Sequence, residues 1–394
     1  MNNNIFAISR VGQLRNIQGY IEQYNAKNNI LIIMDTINKD DVALIDNINK
    51  NIDHKKFKEV IYFEIPERPL SVTKKKCKEI YENLTTLLYS LYKKYHYQNI
   101  ILCNTDNYYK YFEVITKDKN LNLILLEEGL TTYRMFAKNI EKNFNFRDIK
   151  SAVRRVFTNL KQLIIDLGVL TLKFLSWVLQ INIFEFVKHH RVPKKYRYGN
   201  IDYFKEAYVC FPEKMKTLTT REEIGEVKKL NFFINRNIDR TITDRLEDNM
   251  ILFVNQRYIP YEKHFNIIFE ILERNRITKF FIKFHPKESK NKYSRYLKDA
   301  MQKFPNLEVK ILKGMDHIPA EDLMVTGKIK RIIGITTSTL IYSELINPNI
   351  EVLSIADSYK KLCLSKKYNV DAKRMDLFLR DYKAFKEVFD IKQV

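Results

Sequence analysis

Glycine and proline are scarce, with nine of each among 394 residues. So few chain breakers leave no room for long low-complexity linkers and exclude a collagen-like or Pro/Gly-rich disordered chain. Cysteine is scarcer still. Cys77, Cys103, Cys210 and Cys363 form no C-x-x-C pair and have no metal-ligand spacing, so they read as reduced core thiols of a cytosolic protein. No GxGxxG and no Walker sequence is present, which argues against a dinucleotide enzyme or a P-loop NTPase. No DxD stands beside a strand end, and Asp40-Asp41 falls in a polar turn. No run of 18 apolar residues occurs, so no spanning helix is expected. The opening MNNNIFAISRVGQL begins as a strand and lacks a signal-peptide pattern, which predicts a chain that stays in the cytoplasm.

What the chain has in excess is positive charge and aromatic rings. Net charge is +21, with 24 Tyr and 25 Phe. Such a charge predicts an anionic partner, whether nucleic acid, an acidic membrane surface or an acidic polysaccharide, although A/T-rich coding also favours Lys, Asn and Ile. The length is too great for one compact core and predicts two domains.

Short apolar segments alternate with helical spacing. Asn4–Ile8, Ile30–Met34, Val60–Ile65, Asn99–Cys103 and Leu121–Leu126 read as strands, with a long helix over Val72–Tyr95. The alternation resumes with strands at Ala207–Phe211, Leu230–Ile234, Ile251–Val254, Lys279–Phe284, Glu308–Leu312, Arg331–Ile335 and Ile350–Ser354. This pattern predicts parallel βαβ units covered on both faces. The expected fold class is α/β, GT-B, two Rossmann-like lobes facing a central cleft. The expected domains are a first lobe over 1–235, a second lobe over 236–371 and a final helix over 372–394 that can cross back to the first.

Residues 144–205 break the alternation with a helical, basic insertion. Its uncharged run Phe174–Phe184, holding the only Trp, is eleven residues long and too short to cross a bilayer. It suits either a membrane interface or a helical hairpin packed on a lobe.

Three strand ends carry chemistry. The strand ITKFFIKF stops at His285-Pro286, because proline ends the ladder and leaves the imidazole at the carboxyl end, where open α/β sheets bind ligands. With Lys283, Lys287 and Glu288 it offers cations, a titratable ring and a carboxylate, suited to a nucleotide phosphate and ribose, or else a turn cap. Leu125-Leu126 runs into Glu127-Glu128-Gly129. Side chains alternate along a strand, so one acid can face a cleft as a general base toward a sugar hydroxyl while the other bonds elsewhere; a capping acid pair is the plainer reading. RIIGI opens into Thr336-Thr337-Ser338-Thr339 at a helix start. Hydroxyls, backbone N–H groups and the helix dipole there make a phosphate cradle or a simple N-cap.

In this order the motifs, with NIFAISRVGQL, LLEEGLTTYR, ILFVNQRY, KFFIKFHPKESK and RIIGITTSTLIYSELI, resemble the bacterial capsule polysialyltransferases, glycosyltransferase family 38, of the alpha-2,8-polysialyltransferase kind. The resemblance covers most of the chain and fades across about 144–205.

The resemblance implies inverting, metal-independent transfer of sialic acid from CMP-sialic acid to the non-reducing end of a polysialic acid capsule chain. Glu128 or Glu127 would be the base, with Glu128 preferred. His285 would stabilise or protonate the departing CMP phosphate, Thr337, Ser338 and Thr339 would bind it, and Pro286, Lys283, Lys287 and Glu288 would lie near the nucleotide. Arg134, Arg154, Arg155, Arg257, Lys194 and Lys195 are candidate contacts to the anionic acceptor. The partners implied are the donor, the polyanionic acceptor and the inner-membrane surface or a capsule assembly complex, with no nucleic acid and no metal cofactor. The place implied is the inner face of the cytoplasmic membrane. Two alternatives share these features: a sialyltransferase adding one residue to a lipooligosaccharide, and a catalytically silent polyanion-binding protein.

Overall fold

The computed structural model describes residues 3–37, 48–66, 74–104, 107–137, 201–234, 240–284, 288, 290–312, 314–315, 318–371 and 375–394. The chain starts with β1 (Asn4–Ile8), α1 (Val11–Tyr24), β2 (Asn29–Ile37) and β3 (Phe57–Pro66). Next come α2 (Lys74–Tyr95), β4 (Asn99–Leu102), α3 (Phe112–Lys119), β5 (Asn122–Leu126) and α4 (Leu130–Ala137). After residue 200 follow β6 (Phe204–Val209), α5 (Pro212–Leu218) and β7 (Ile224–Lys229). These strands form one sheet in the order β3-β2-β1-β4-β5-β6-β7, parallel throughout.

The second sheet takes the order β10-β9-β8-β11-β12, from β8 (Met250–Val254), β9 (Lys279–Lys283), β10 (Glu308–Ile311), β11 (Ile329–Gly334) and β12 (Glu351–Ser354). It too is parallel. Around it lie α6 (Arg240–Thr243), α7 (Tyr261–Arg274), α8 (Lys290–Lys303), α9 (Ala320–Met324), α10 (Ser338–Ile346) and α11 (Ala356–Leu364).

Central strands are uninterrupted apolar runs because helices cover both faces. NIFAI and NIIL are buried at every position. The last strand of the first sheet departs from the expectation: Leu230–Ile234 is not a strand, and β7 is the preceding IGEVKK. An edge strand with one wet face has no apolar run to reveal it, and only Ile224 of the six residues is fully buried.

Each sheet reverses its strand order once, between β1 and β4 and between β8 and β11. Crevices open at such reversals, outside the carboxyl ends of the strands. The last helix, α12 (Asp376–Val388), joins the lobes. Its Phe378 packs against Tyr258 and Tyr359 of the second lobe, while Phe389, just past its end, meets Tyr133 and Phe211 of the first edge-on. All four cysteines are free and buried. Among the described residues no helix is long and apolar enough to cross a membrane. The expectations for the basic section lie, up to residue 200, outside the described residues.

Candidate active site

β5 ends at Leu126, and the two carboxylates that follow diverge. Glu127 is fully buried. Its Oε2 accepts from Tyr133 Oη at 2.7 Å and from the Cys210 backbone N–H at 2.5 Å, and its Oε1 accepts from Tyr342 Oη of the second lobe. Burial raises its pKa above the ordinary carboxylate value, and the three donors oppose that rise.

Glu128 turns the other way, toward the β1/β4 reversal. It forms an ion pair with Arg10 at 3.0 Å; its side chain is 5% exposed and that of Arg10 56%. Arg10 follows β1, Cys103 follows β4, and the charge of Glu128 reinforces the burial that holds the Cys103 thiol and the Tyr109 phenol above their usual pKa values. Gln13 fixes this corner, its Oε1 accepting from the N–H groups of Ser9 and Arg10 at 2.6 and 3.1 Å. The Glu128 N–H donates to Thr132 Oγ1 at 2.7 Å, which ties the acid to the start of α4.

The second lobe brings its hydroxyl cluster directly onto this turn. The backbone N–H of Leu130 donates to Ser338 Oγ at 3.1 Å. Gly129 has φ +111°, and a Cβ built there would lie 2.7 Å from Ser338 Oγ. The glycine therefore serves both backbone conformation and close approach. Thr337 is the N-cap of α10, its side chain accepting from the Thr339 N–H. The Thr339 hydroxyl proton goes to Glu321 at 2.8 Å. Thus Ser338 and Thr337 stand at the lobe junction, while the Thr339 hydroxyl is engaged within its own lobe.

At the β8 end of the second crevice, Asn255 Nδ2 donates to both oxygens of Glu288 at 2.9 Å, and Tyr261 Oη donates to Oε1 at 2.9 Å. Asn255 Oδ1 meets His264 Nε2 at 3.1 Å, and His264 Nδ1 meets Tyr359 Oη at 2.8 Å. Burial, with a contribution from Arg257, lowers the His264 pKa to about 3, so the ring is neutral at physiological pH. Lys283 is buried, and its ammonium donates to the Met315 carbonyl at 3.1 Å.

The structure thus unites Glu127, Glu128 and Gly129 with Thr337 and Ser338, and sets Glu288 in a polar network at the second reversal. His285, Pro286 and Lys287 lie outside the described residues, as do Arg154, Arg155, Lys194 and Lys195. Arg134 is paired with Asp381 of α12. Arg257 is exposed and stacks its guanidinium over the Tyr261 ring, 4.7 Å from the centroid.

Sequence reasoning missed Arg10, Tyr133, Tyr342, Tyr258 and Asp381. Only Arg10 carries a local signal, as the residue between a buried strand and a helix; its value emerges once the sheet order is known. Among the described residues no group of three or more His, Cys, Asp or Glu side chains is placed to hold a metal ion.

Solved structures share this architecture at low identity. LpCGTa in complex with UDP is 10% identical, with 98% of this chain and 94% of that chain covered and a TM-score of 0.50. UGT71G1 from Medicago truncatula, complexed with UDP-glucose, is 9% identical over 98% of this chain and 93% of that chain, TM-score 0.48. UDP-N-acetylglucosamine 2-epimerase from Rickettsia bellii is 10% identical over 98% and 96%, TM-score 0.49. At 10% identity the likeness to LpCGTa speaks for the fold alone, which is GT-B, the expected class. No curated protein matches the chain. Residues 4–356 match the family described as Alpha-2,8-polysialyltransferase (POLYST), and the chain belongs to that family.

Proposed function

We propose that this glycosyltransferase extends polysialic acid, transferring sialic acid from CMP-sialic acid to the non-reducing end of a sialyl chain with inversion. The observation that carries the reading is the contact of Gly129 and Leu130 with Ser338. It sets the acidic end of β5 against the hydroxyl-rich start of α10, one from each lobe.

Glu128 is the base in this reading. It faces the β1/β4 reversal beside half-exposed Arg10, whereas both oxygens of Glu127 are bonded in a sealed site. Glu128 takes the proton of the acceptor hydroxyl as its oxygen attacks the anomeric carbon of the donor. The new C–O bond forms as the bond to the CMP phosphate breaks on the opposite face, so configuration inverts. The phosphate departs onto the Ser338 and Thr337 hydroxyls and the N-terminal N–H groups of α10. His285 protonates or hydrogen-bonds it, and Lys283, Pro286, Lys287 and Glu288 frame the nucleotide end. A donor with a single phosphate needs no divalent metal to leave under this arrangement.

The acceptor carries one carboxylate per residue, and a chain of net charge +21 suits it. Arg257 with the basic residues Arg154, Arg155, Lys194 and Lys195 is proposed to hold it; the basic section is proposed to dock the enzyme on the inner membrane face at the site of capsule assembly.

The test is CMP release from CMP-sialic acid in the presence of a sialyl oligomer. Glu128→Gln and His285→Ala should each lose at least about a hundredfold in kcat, the usual size of a general-acid or general-base contribution, with thermal stability near wild type. Full activity in Glu128→Gln, with loss in a folded Glu127→Gln, would move the base to Glu127.

A further inference from the structure

From the residues at the lobe junction we infer that Asp381 is a positioning residue. Through Tyr258 and Thr336 it fixes the loop that opens the proposed donor-phosphate site, and through Arg134 it ties that loop to the helix following Glu128. The inference rests on the proposed donor site only for its kinetic consequences.

Four buried or half-buried side chains from four separate elements make one chain of contacts. Arg134 of α4 forms an ion pair with Asp381 Oδ1. Asp381 Oδ2 accepts from Tyr258 Oη at 2.9 Å, and Tyr258 Oη meets Thr336 Oγ1. Asp381 is 7% exposed, Tyr258 9% and Thr336 fully buried. Tyr258 lies in the loop after β8, and Thr336 lies between β11 and the Thr337 cap of α10. These two loops flank the β8/β11 reversal.

Counting protons gives the chain a direction. Tyr258 has one hydroxyl hydrogen, and the Asp381 carboxylate takes it. At the short contact with Thr336 the phenol oxygen is therefore the acceptor and Thr336 the donor. The carboxylate thus decides which way the Thr336 hydroxyl points. Thr336 immediately precedes Thr337 and Ser338, so its anchor sets the start of α10 against Gly129. Phe378, three residues earlier on α12, packs on the Tyr258 ring and holds it in place. A further polar group faces this cluster: Gln256 Oε1, 3.4 Å from Thr336 Oγ1, is a second and longer acceptor for the same hydroxyl proton, and the phenol oxygen of Tyr258 is the nearer one.

The alternative role for Asp381 is a lobe-joining ion pair alone. Arg134→Met tests that role, and Tyr258→Phe tests the relay while keeping the ring contact with Phe378. Hydrogen exchange is followed in the ligand-free protein over a peptide covering Ile335–Leu340, and transfer kinetics are measured on the same preparations. The relay predicts faster exchange in that peptide for Asp381→Asn and for Tyr258→Phe, and little change for Arg134→Met. It also predicts a donor KM about tenfold higher in the first two, the size of one hydrogen bond to a charged group, with kcat and acceptor KM near wild type.

Unchanged exchange in Tyr258→Phe, or equal effects of Arg134→Met and Asp381→Asn on the peptide and on donor KM, would overturn the relay. Failure of the wild type to use CMP-sialic acid would defeat the donor assignment, and the exchange result in ligand-free protein would still decide the relay.

Discussion

The backbone N–H of Leu130 donates to the hydroxyl of Ser338 across the lobe junction, 3.1 Å apart and 208 positions distant in sequence. Two short motifs, each weak alone, are thereby one structure. The glycine of Glu127-Glu128-Gly129 makes room for the serine of Thr337-Ser338-Thr339, and the N-termini of α4 and α10 meet at that point. With Glu128 paired to Arg10 beside the β1/β4 reversal and Glu127 bonded to Tyr133, Tyr342 and the Cys210 N–H, the acidic motif sends its two carboxylates to different partners.

Gly129→Ala tests the contact. Its φ of +111° is strained for any residue with a Cβ, and that atom would lie 2.7 Å from Ser338 Oγ. The expected cost is about 1–3 kcal/mol in stability with a large loss of transfer. Adding Ser338→Ala should recover part of the stability and none of the lost rate. Additive stability effects in the double variant would contradict the contact.

Glu127 carries a pH signature. Its folded-state pKa is raised by burial, so the folded protein holds this proton more tightly than the unfolded chain does. The stability from that difference is fully present below the unfolded value of about 4.5 and is lost as pH rises through the folded pKa. The stability deficit of Glu127→Gln relative to wild type should therefore shrink as pH rises above about 4.5 in denaturant titrations. A deficit that widens with pH would contradict the assignment. Glu127→Ala, which strands the Tyr133 and Tyr342 hydroxyls and the Cys210 N–H, should cost about 3–5 kcal/mol.

Much of the fold was legible because buried parallel strands are apolar throughout. NIFAI, NIIL and KFFIK announce themselves, and the long helix expected over Val72–Tyr95 is described as Lys74–Tyr95. Edge strand β7 was not legible, since in IGEVKK only Ile224 is buried and the other five positions are half-wet or wet. The site was legible as motifs and illegible as contacts. Arg134 reads as a surface cation for a polyanion until the chain brings Asp381, 247 positions later, against it. Glu127 and Glu128 cannot be told apart by composition. Strand alternation separates them, and the sheet order says which lies beside the β1/β4 reversal.

Salt dependence should report the acceptor groove. A chain of charge +21 that holds a polyanion by spaced ionic contacts loses them as ionic strength rises and the screening length falls to ~10 Å at about 0.1 M. Transfer to long sialyl acceptors should fall more steeply with salt than transfer to short ones, read as the slope of log kcat/KM against log salt. Equal slopes would remove the groove.

The central claim is that the crevice joining Glu128 to the Ser338 loop elongates a sialyl chain from CMP-sialic acid. The most direct measurement incubates the purified protein with CMP-sialic acid and a fluorescent sialyl oligomer and resolves the products by length. The account predicts a ladder of products in the wild type and none in Glu128→Gln. A single added sugar, no CMP release, or an undiminished ladder from Glu128→Gln would contradict it.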